Sequence, residues 1–448
     1  MRWWPLLLFV SAIPVAAQRI NPSLPSATRP PAPSASHADT STTSYTVGGI
    51  PVIHRTGAAN LVVINLYLLG GVRNMTPETA GLEPIYLAVS EQGTERYPKD
   101  ALRRAMARTG SSIAIDATED WTLFGIRTTT EELDSVWTIF TDRLMRPRLE
   151  PPEIDFVRNQ LLSGLRQIDE SPDALLARVA DSVAFGGHSY ALSPTGSEAS
   201  LTAITRESLL RWKHDWLVKS RFLVVVVGNV PRAKLERMIT ASLGNLPAGQ
   251  YAWTMPDTLP ARPSTLTTMS RTLPTNYISG LFRGPRANER DAAALRVAAA
   301  VLSGQLFSEI RSKHNLTYTA SANLRDHALM SGSLFVTTTL PDSALKIMRE
   351  QIRLLQEITL PAHALAPLVR QFLTEYFLNN ETSTAQADFL ARAQLYNGDW
   401  QAATRFMTEI RAVTGEDVRR VARRYLRNVQ WTYLGDPSRI TRRLAESF

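Results

Sequence analysis

The amino-acid sequence predicts an α+β protein in which one domain, a largely antiparallel sheet packed with helices, occurs twice. Three observations carry that expectation. The chain is too long for one core, its halves repeat each other, and apolar runs of strand period alternate with runs of helix period. At 448 residues, two domains of about 200 residues each are the natural division, because single cores stop growing well short of this length.

The repeat is visible in the letters. LFGIRTTTEELDSVWTIFTDRL begins at Leu123 and LFVTTTLPDSALKIMREQIRLL begins at Leu334. Each reads as a β-branched strand ending in three threonines, then a short acidic helix start, then a long amphipathic helix. Upstream, YLLGGVR from Tyr67 parallels GLFRGPR from Gly280. The first pair is offset by 211 residues (123 to 334) and the second by 213 (67 to 280). Order and spacing preserved over half a chain identify a duplication.

In chain order, residues 1–17 open with Arg2, pass through an apolar run and end in Val15-Ala16-Ala17. That is the layout of a secretory signal peptide. The run is too short to span a bilayer, so a retained anchor is the lesser reading. Residues 18–43 are rich in Pro, Ser, Ala and Thr and bury too little apolar surface to offset their ordering entropy, which makes them a flexible tether. The first domain is expected over 44–250, with strands at 61–69 and 221–230 and a helix at 98–108. Its closing run, RFLVVVVGNV, reads as a buried strand with Gly228-Asn229 as its turn. A linker is expected at 251–267, where Pro256, Pro260 and Pro263 cluster. The second domain, 268–448, has a strand at 278–282 and a helix at 292–302. Long helices between neighbouring strands imply helices layered on one face of each sheet.

Composition narrows the function classes. Lys and Arg number 49 against 41 Asp and Glu, a net charge of +8, but the basic residues are scattered. Arg419-Arg420 and Arg423-Arg424 are interleaved with Val and Ala at helical spacing, which is a solvated helix face and not the contiguous stripe that nucleic acid requires. After the signal, no stretch reads as long and apolar enough to cross a membrane. There is no cysteine, hence no disulfide and no lipid on an N-terminal Cys. A large exported chain without cysteine points to a bacterial periplasm.

Several motifs carry more. They are ETAGLEPIYLAVSEQGTERYPKDAL from Glu78, GGHSYALSPTGSEASLTAITRESLLRW from Gly186, RFLVVVVGNV, and LSGQLFSEIRSKHNLTYTASA from Leu302. Together they resemble the pitrilysin/insulinase zinc metallopeptidases, including the mitochondrial processing peptidase, in collinear order from about Tyr45 to Tyr433. The resemblance implies two homologous α/β-roll domains of the LuxS and processing-peptidase kind, forming half of a clamshell. The family's pattern is Gly-Leu, then H-x-x-E-H on a helix, then Gly-Thr. Two His four residues apart share a helix face and hold Zn²⁺ while the Glu activates its water. Anchored on Gly81-Leu82 and Gly93-Thr94, the three positions hold Pro84, Leu87 and Ala88, none of which can bind metal or accept a proton. The third ligand of the family falls near Ser163-Gly164 and is absent too. The seven histidines, at 37, 54, 188, 214, 314, 327 and 363, include no pair with one-helix metal spacing. An Asn that contacts substrate in the family is replaced by Ala114, although Asp120 and Thr122 fit the pattern.

The second half departs less. Arg311 and Tyr318 match the Arg/Tyr pair that relatives use to hydrogen-bond the scissile carbonyl, a fixed cation and a phenol aimed where negative charge develops. The bland alternative is an Arg311 paired with Glu309 and a Tyr318 packed into a sheet. The resemblance thus implies a subunit without its own zinc. It would be paired with a zinc-binding peptidase subunit of the same family and would bind an unfolded peptide or protein segment in a central chamber. A non-enzymatic peptide-binding or scaffold protein of the same fold is the alternative, and a self-sufficient peptidase with other ligands ranks last.

Overall fold

The computed structural model describes residues 41–57 and 59–448. The signal peptide expected at 1–17 and nearly all of the tether expected at 18–43 lie outside the described residues. Thr42 and Thr43, expected in the tether, instead open the first strand, because they find backbone partners opposite Arg55 and His54.

The first half contains β1 (Thr42–Val47), β2 (Ile50–Arg55), β3 (Leu61–Leu69), α1 (Leu82–Val89), α2 (Lys99–Thr109), β4 (Ser112–Ala117) and β5 (Trp121–Thr129). There follow α3 (Leu133–Met145), α4 (Pro151–Glu170), α5 (Pro172–Ala184), α6 (Glu198–Ala203), α7 (Arg206–Trp216), β6 (Phe222–Val227) and α8 (Arg232–Ala241). The second half contains β7 (Thr265–Ser270), β8 (Asn276–Arg286), α9 (Asp291–Leu306), β9 (Ala320–Arg325), β10 (Leu329–Thr338) and α10 (Pro341–Glu357). It ends with α11 (Ala362–Asn379), α12 (Ser383–Asn397), α13 (Ala402–Arg411), α14 (Gly415–Tyr425), β11 (Gln430–Gly435) and α15 (Arg442–Ala445).

The strands form a six-stranded sheet of order β1-β2-β6-β3-β5-β4 and a five-stranded sheet of order β7-β11-β8-β10-β9. Without β1, the two orders are the same. So are the pairing senses: β2 with β6 and β7 with β11 are parallel, and every other pair is antiparallel. The register repeats as well. Leu123 lies opposite Tyr67, and Leu334 lies opposite Gly280. These are the residues that the sequence repeat equates.

Each sheet is covered on one face by helices of its own half, and on the other by a helix of the opposite half. Along β6, Phe222, Val224 and Val226 enter the main first-half core, while Leu223, Val225 and Val227 enter a second cluster with Leu390 and Ala391 of α12. Alternate side chains point to opposite faces, so an uninterrupted apolar run marks a strand buried on both. Reciprocally, α5 packs on β8 and β11, with Ala180 and Ala184 in one cluster with Leu281 and Leu329. The two helices occupy matching positions in the repeat, and each has a hydroxyl N-cap, Ser171 for α5 and Thr382 for α12. The layer expected on one face therefore acquires a second, exchanged between the halves.

The stretch expected as a linker at 251–267 is pinned in place. Arg73 donates to the Thr254 carbonyl at 2.6 Å, Arg286 donates to that of Pro256 at 2.9 Å, and Trp253 packs beside the α12 cluster. Its last three residues belong to β7, which begins at Thr265. The expectation that no later stretch is apolar enough for a membrane span is also corrected. Residues Asp291–Lys313 form a 23-residue helical run containing an 18-residue stretch of mean hydropathy 1.3, long and apolar enough by length and composition. Its Leu295, Val297, Val301 and Leu302 lie in the second-half core, which accounts for the apolar composition.

Candidate functional site

In the first half, Gly81 starts α1 from the left-handed region, at φ 88°. A Cβ there would come within 2.9 Å of the Thr195 carbonyl oxygen, so the turn into the helix needs glycine. Pro84 sits in the first turn of α1, where its missing N–H costs nothing. Pro84 and Leu87 are buried, Leu87 in the main core, and Ala88 packs half-buried against it. α4 crosses α1 but brings Ser163, whose hydroxyl is used on the Asn159 carbonyl at 2.9 Å, and Gly164. The positions that the family resemblance assigns to zinc are packed apolar surface, and they do not fit a metal.

Among the described residues, no three His, Cys, Asp or Glu side chains gather so as to hold a metal ion. His54 is buried, which depresses its pKa. His188 accepts from the Tyr190 N–H at 3.1 Å, His214 meets Asp215 at 2.8 Å, and His327 meets Glu119 at 3.3 Å. His314 and His363 are exposed.

Two buried arginines hold α1 at its ends, and neither was anticipated from the sequence. Arg221 meets Glu83 at 2.8 Å, with side chains only 1% and 3% exposed. Its remaining donors go to the Leu69 carbonyl at 2.9 and 3.0 Å and the Trp216 carbonyl at 3.2 Å. At the other end, Arg143 donates to Ser90 Oγ at 3.1 Å and reaches the Leu87 carbonyl at 3.5 Å, satisfying an end carbonyl of the helix. Burial pushes the Arg143 guanidinium down to about 10. Tyr86 donates to the Leu144 carbonyl at 2.8 Å. α1 is a fixed part of the core.

Ala114 lies on the edge strand β4, opposite Gly125 of β5. Asp120 and Thr122, the matching positions nearby, are both buried. The Asp120 carboxylate accepts from Tyr190 at 2.5 Å, from Tyr396 at 2.8 Å and from the Ala328 N–H at 2.8 Å. Two of those three donors belong to the second half, so Asp120 ties the halves together. Burial followed by the Asp120 charge raises both tyrosine pKa values, which keeps them protonated donors.

In the second half, α9 runs into a π-helical turn, Phe307–Lys313, a distortion frequent at functional sites. Arg311 projects from this turn and stacks its guanidinium 4.8 Å over the Phe307 ring. Glu309 pairs with Lys313 at 2.5 Å, not with Arg311. Tyr318, between the turn and β9, is 86% exposed and does not pack into a sheet. The structure thus sets both side chains at the surface on one connection, with no ion pair formed by Arg311 among the described residues.

Two family models match the chain in succession. Residues 52–196 match the insulinase family (peptidase family M16), and residues 203–372 match the peptidase M16 inactive domain. The mitochondrial cytochrome b-c1 complex subunit 1 of Caenorhabditis elegans is 23% identical over 401 residues, 84% of each chain. The mitochondrial-processing peptidase subunit beta of Blastocladiella emersonii is 22% identical over 384 residues, 81% of each chain. Among solved structures, a protease from Helicobacter pylori superposes with a TM-score of 0.80 at 17% identity, covering 88% of this chain and 99% of that one. Complex III2 from Candida albicans gives a TM-score of 0.76 at 17% identity, covering 90% and 98%. The two matches together span more than two thirds of the chain, and the chain belongs to the insulinase family, peptidase family M16.

Proposed function

We propose that this chain is the non-catalytic subunit of a heterodimeric zinc peptidase exported to the periplasm. The partner, a chain of the same family with an intact H-x-x-E-H helix, supplies the zinc and the general base. This chain supplies half of the chamber wall and, in trans, Arg311 and Tyr318 as donors to the scissile carbonyl of an unfolded peptide. One observation carries the reading. The helix at the family's zinc position is packed into the core, yet the Arg/Tyr pair stands at the surface, with Tyr318 86% exposed and Arg311 in no ion pair among the described residues.

The test is co-purification with such a partner followed by a zinc-dependent peptide assay. Arg311→Ala and Tyr318→Phe should each lower turnover of the assembled pair about a hundredfold, the usual cost of one such donor, while leaving assembly intact by size exclusion. Turnover unchanged in both variants removes the assigned role.

A second reading draws support from the match to a cytochrome b-c1 complex subunit over 84% of the chain: a non-enzymatic peptide-binding or scaffold protein of the same fold. That protein would show no zinc-dependent hydrolysis with any H-x-x-E-H partner.

A further inference from the structure

The duplication gives the zinc centre a counterpart in the second half. α9 answers α1, α11 answers α4, and the edge strand β9 answers the edge strand β4. α11 packs on α9 as α4 packs on α1. In the first half this place is filled by Leu87 and its neighbours, whereas in the second half the three elements enclose an open groove of about 650 Å³. Its floor is a stripe of small residues on one face of α9, namely Ala299, Ala300, Ser303 and Gly304. A Cβ built on Gly304 meets no atom within 4 Å. Leu368 and Phe372 of α11 form the far wall.

Three features say what fits. β9 pairs with β10 on one side only, so its other edge offers backbone groups at strand spacing, which an extended polypeptide matches. The outward N–H of Ala322 is held by Ser303 Oγ at 3.2 Å, the long end of the ordinary range. Among the groove's charges, Arg296 and Asp326 neutralise each other at 2.5 Å, which leaves the Glu375 carboxylate on the rim. Finally, the groove runs into the Arg/Tyr site. Phe307, beneath the Arg311 guanidinium, lines it, as does Ala320, two residues after Tyr318.

We propose that this groove is a substrate subsite. An extended polypeptide adds to β9 as a further strand, seats apolar side chains over Ala300 and Gly304, and turns a basic side chain to Glu375. Its chain continues to Arg311 and Tyr318. The subsite rests on the function proposed above, but its test does not require the partner chain.

The probe is a fluorescent decapeptide of alternating Leu and Lys, titrated by anisotropy against the isolated full chain. Saturable binding is expected below about 1 mM. Gly304→Leu, which replaces a helix glycine with a good helix former in open space, should weaken binding at least tenfold, while Gly304→Ala should bind as wild type. Ser303→Ala removes the internal competitor for the Ala322 N–H and should tighten binding. A peptide N-methylated at alternate amides should lose at least tenfold. No saturable binding, or binding indifferent to Gly304→Leu and to N-methylation, overturns the subsite. Loss of the Arg311 and Tyr318 effects on turnover, with groove binding intact, would overturn only the role assigned to that pair.

Discussion

The two halves share strand order, pairing sense and register, yet they have diverged at one place. In the first half, the helix that would carry zinc is buried, with Leu87 in the core and buried arginines at both ends. In the second, the corresponding helix faces an open groove and ends in a π-helical turn that exposes Arg311. With no ligand on it, the first helix is interior, and its apolar side chains add to packing. The second helix instead carries small residues along the groove. The same architecture thus carries a closed helix in one copy and an open groove in the other.

Three perturbations sharpen that contrast, from the largest expected effect downward. Arg221→Met should destabilise the fold by about 3–5 kcal/mol, because it leaves the Glu83 carboxylate buried without its counter-charge. The double variant Arg221→Met/Glu83→Leu should recover most of that loss. Urea midpoints of the three proteins measure both, and a single variant as stable as wild type would mean that α1 is not anchored as described.

The second perturbation concerns Asp388 of α12, which accepts from the Tyr67 hydroxyl of the first sheet at 2.5 Å. Burial holds its carboxyl above the ordinary value, with the Tyr67 hydrogen bond opposing. A raised folded-state pKa contributes stability that is fully present below the unfolded value, near 3.8, and is lost as pH rises through the folded value. Asp388→Asn keeps an acceptor for Tyr67 but does not titrate. Relative to wild type, it should therefore gain stability as pH rises from about 4 to about 7. Parallel melting curves across that range would show that the exchanged helix does not sense this proton.

The smallest effect belongs to the second half's surface. Arg311→Ala and Tyr318→Phe should each shift folding stability by less than about 0.5 kcal/mol, since neither side chain is buried or ion-paired. A larger loss in thermal or urea unfolding would give the pair a structural role.

Much of this was legible in the letters. The repeat anticipated two copies of one sheet-and-helix domain, and the fixed spacing between Gly81-Leu82 and Gly93-Thr94 located Pro84, Leu87 and Ala88 on one helix. What stayed hidden was pairing at long range. Arg221 and Glu83 look like any solvated charges until folding brings them together. The helix exchange was hidden for a related reason: an apolar helix face announces that it needs cover but not which sheet supplies it. The run of valines at 224–227 was the available clue, because a strand with no polar face demands layers on both sides. The tether and linker boundaries erred by two or three residues for a simpler cause: Thr and Ser serve equally in strands and in loops.

The exchange of α5 and α12 bears on how such a chain arose. An ancestor with a single copy, whose helix lay on the other copy's sheet as α5 and α12 do now, would have closed both faces by pairing with an identical molecule, as a two-fold homodimer. Gene fusion would have turned that association into an intramolecular one, at an effective concentration on the order of millimolar. From then on, the two copies were free to differ without ceasing to hold each other.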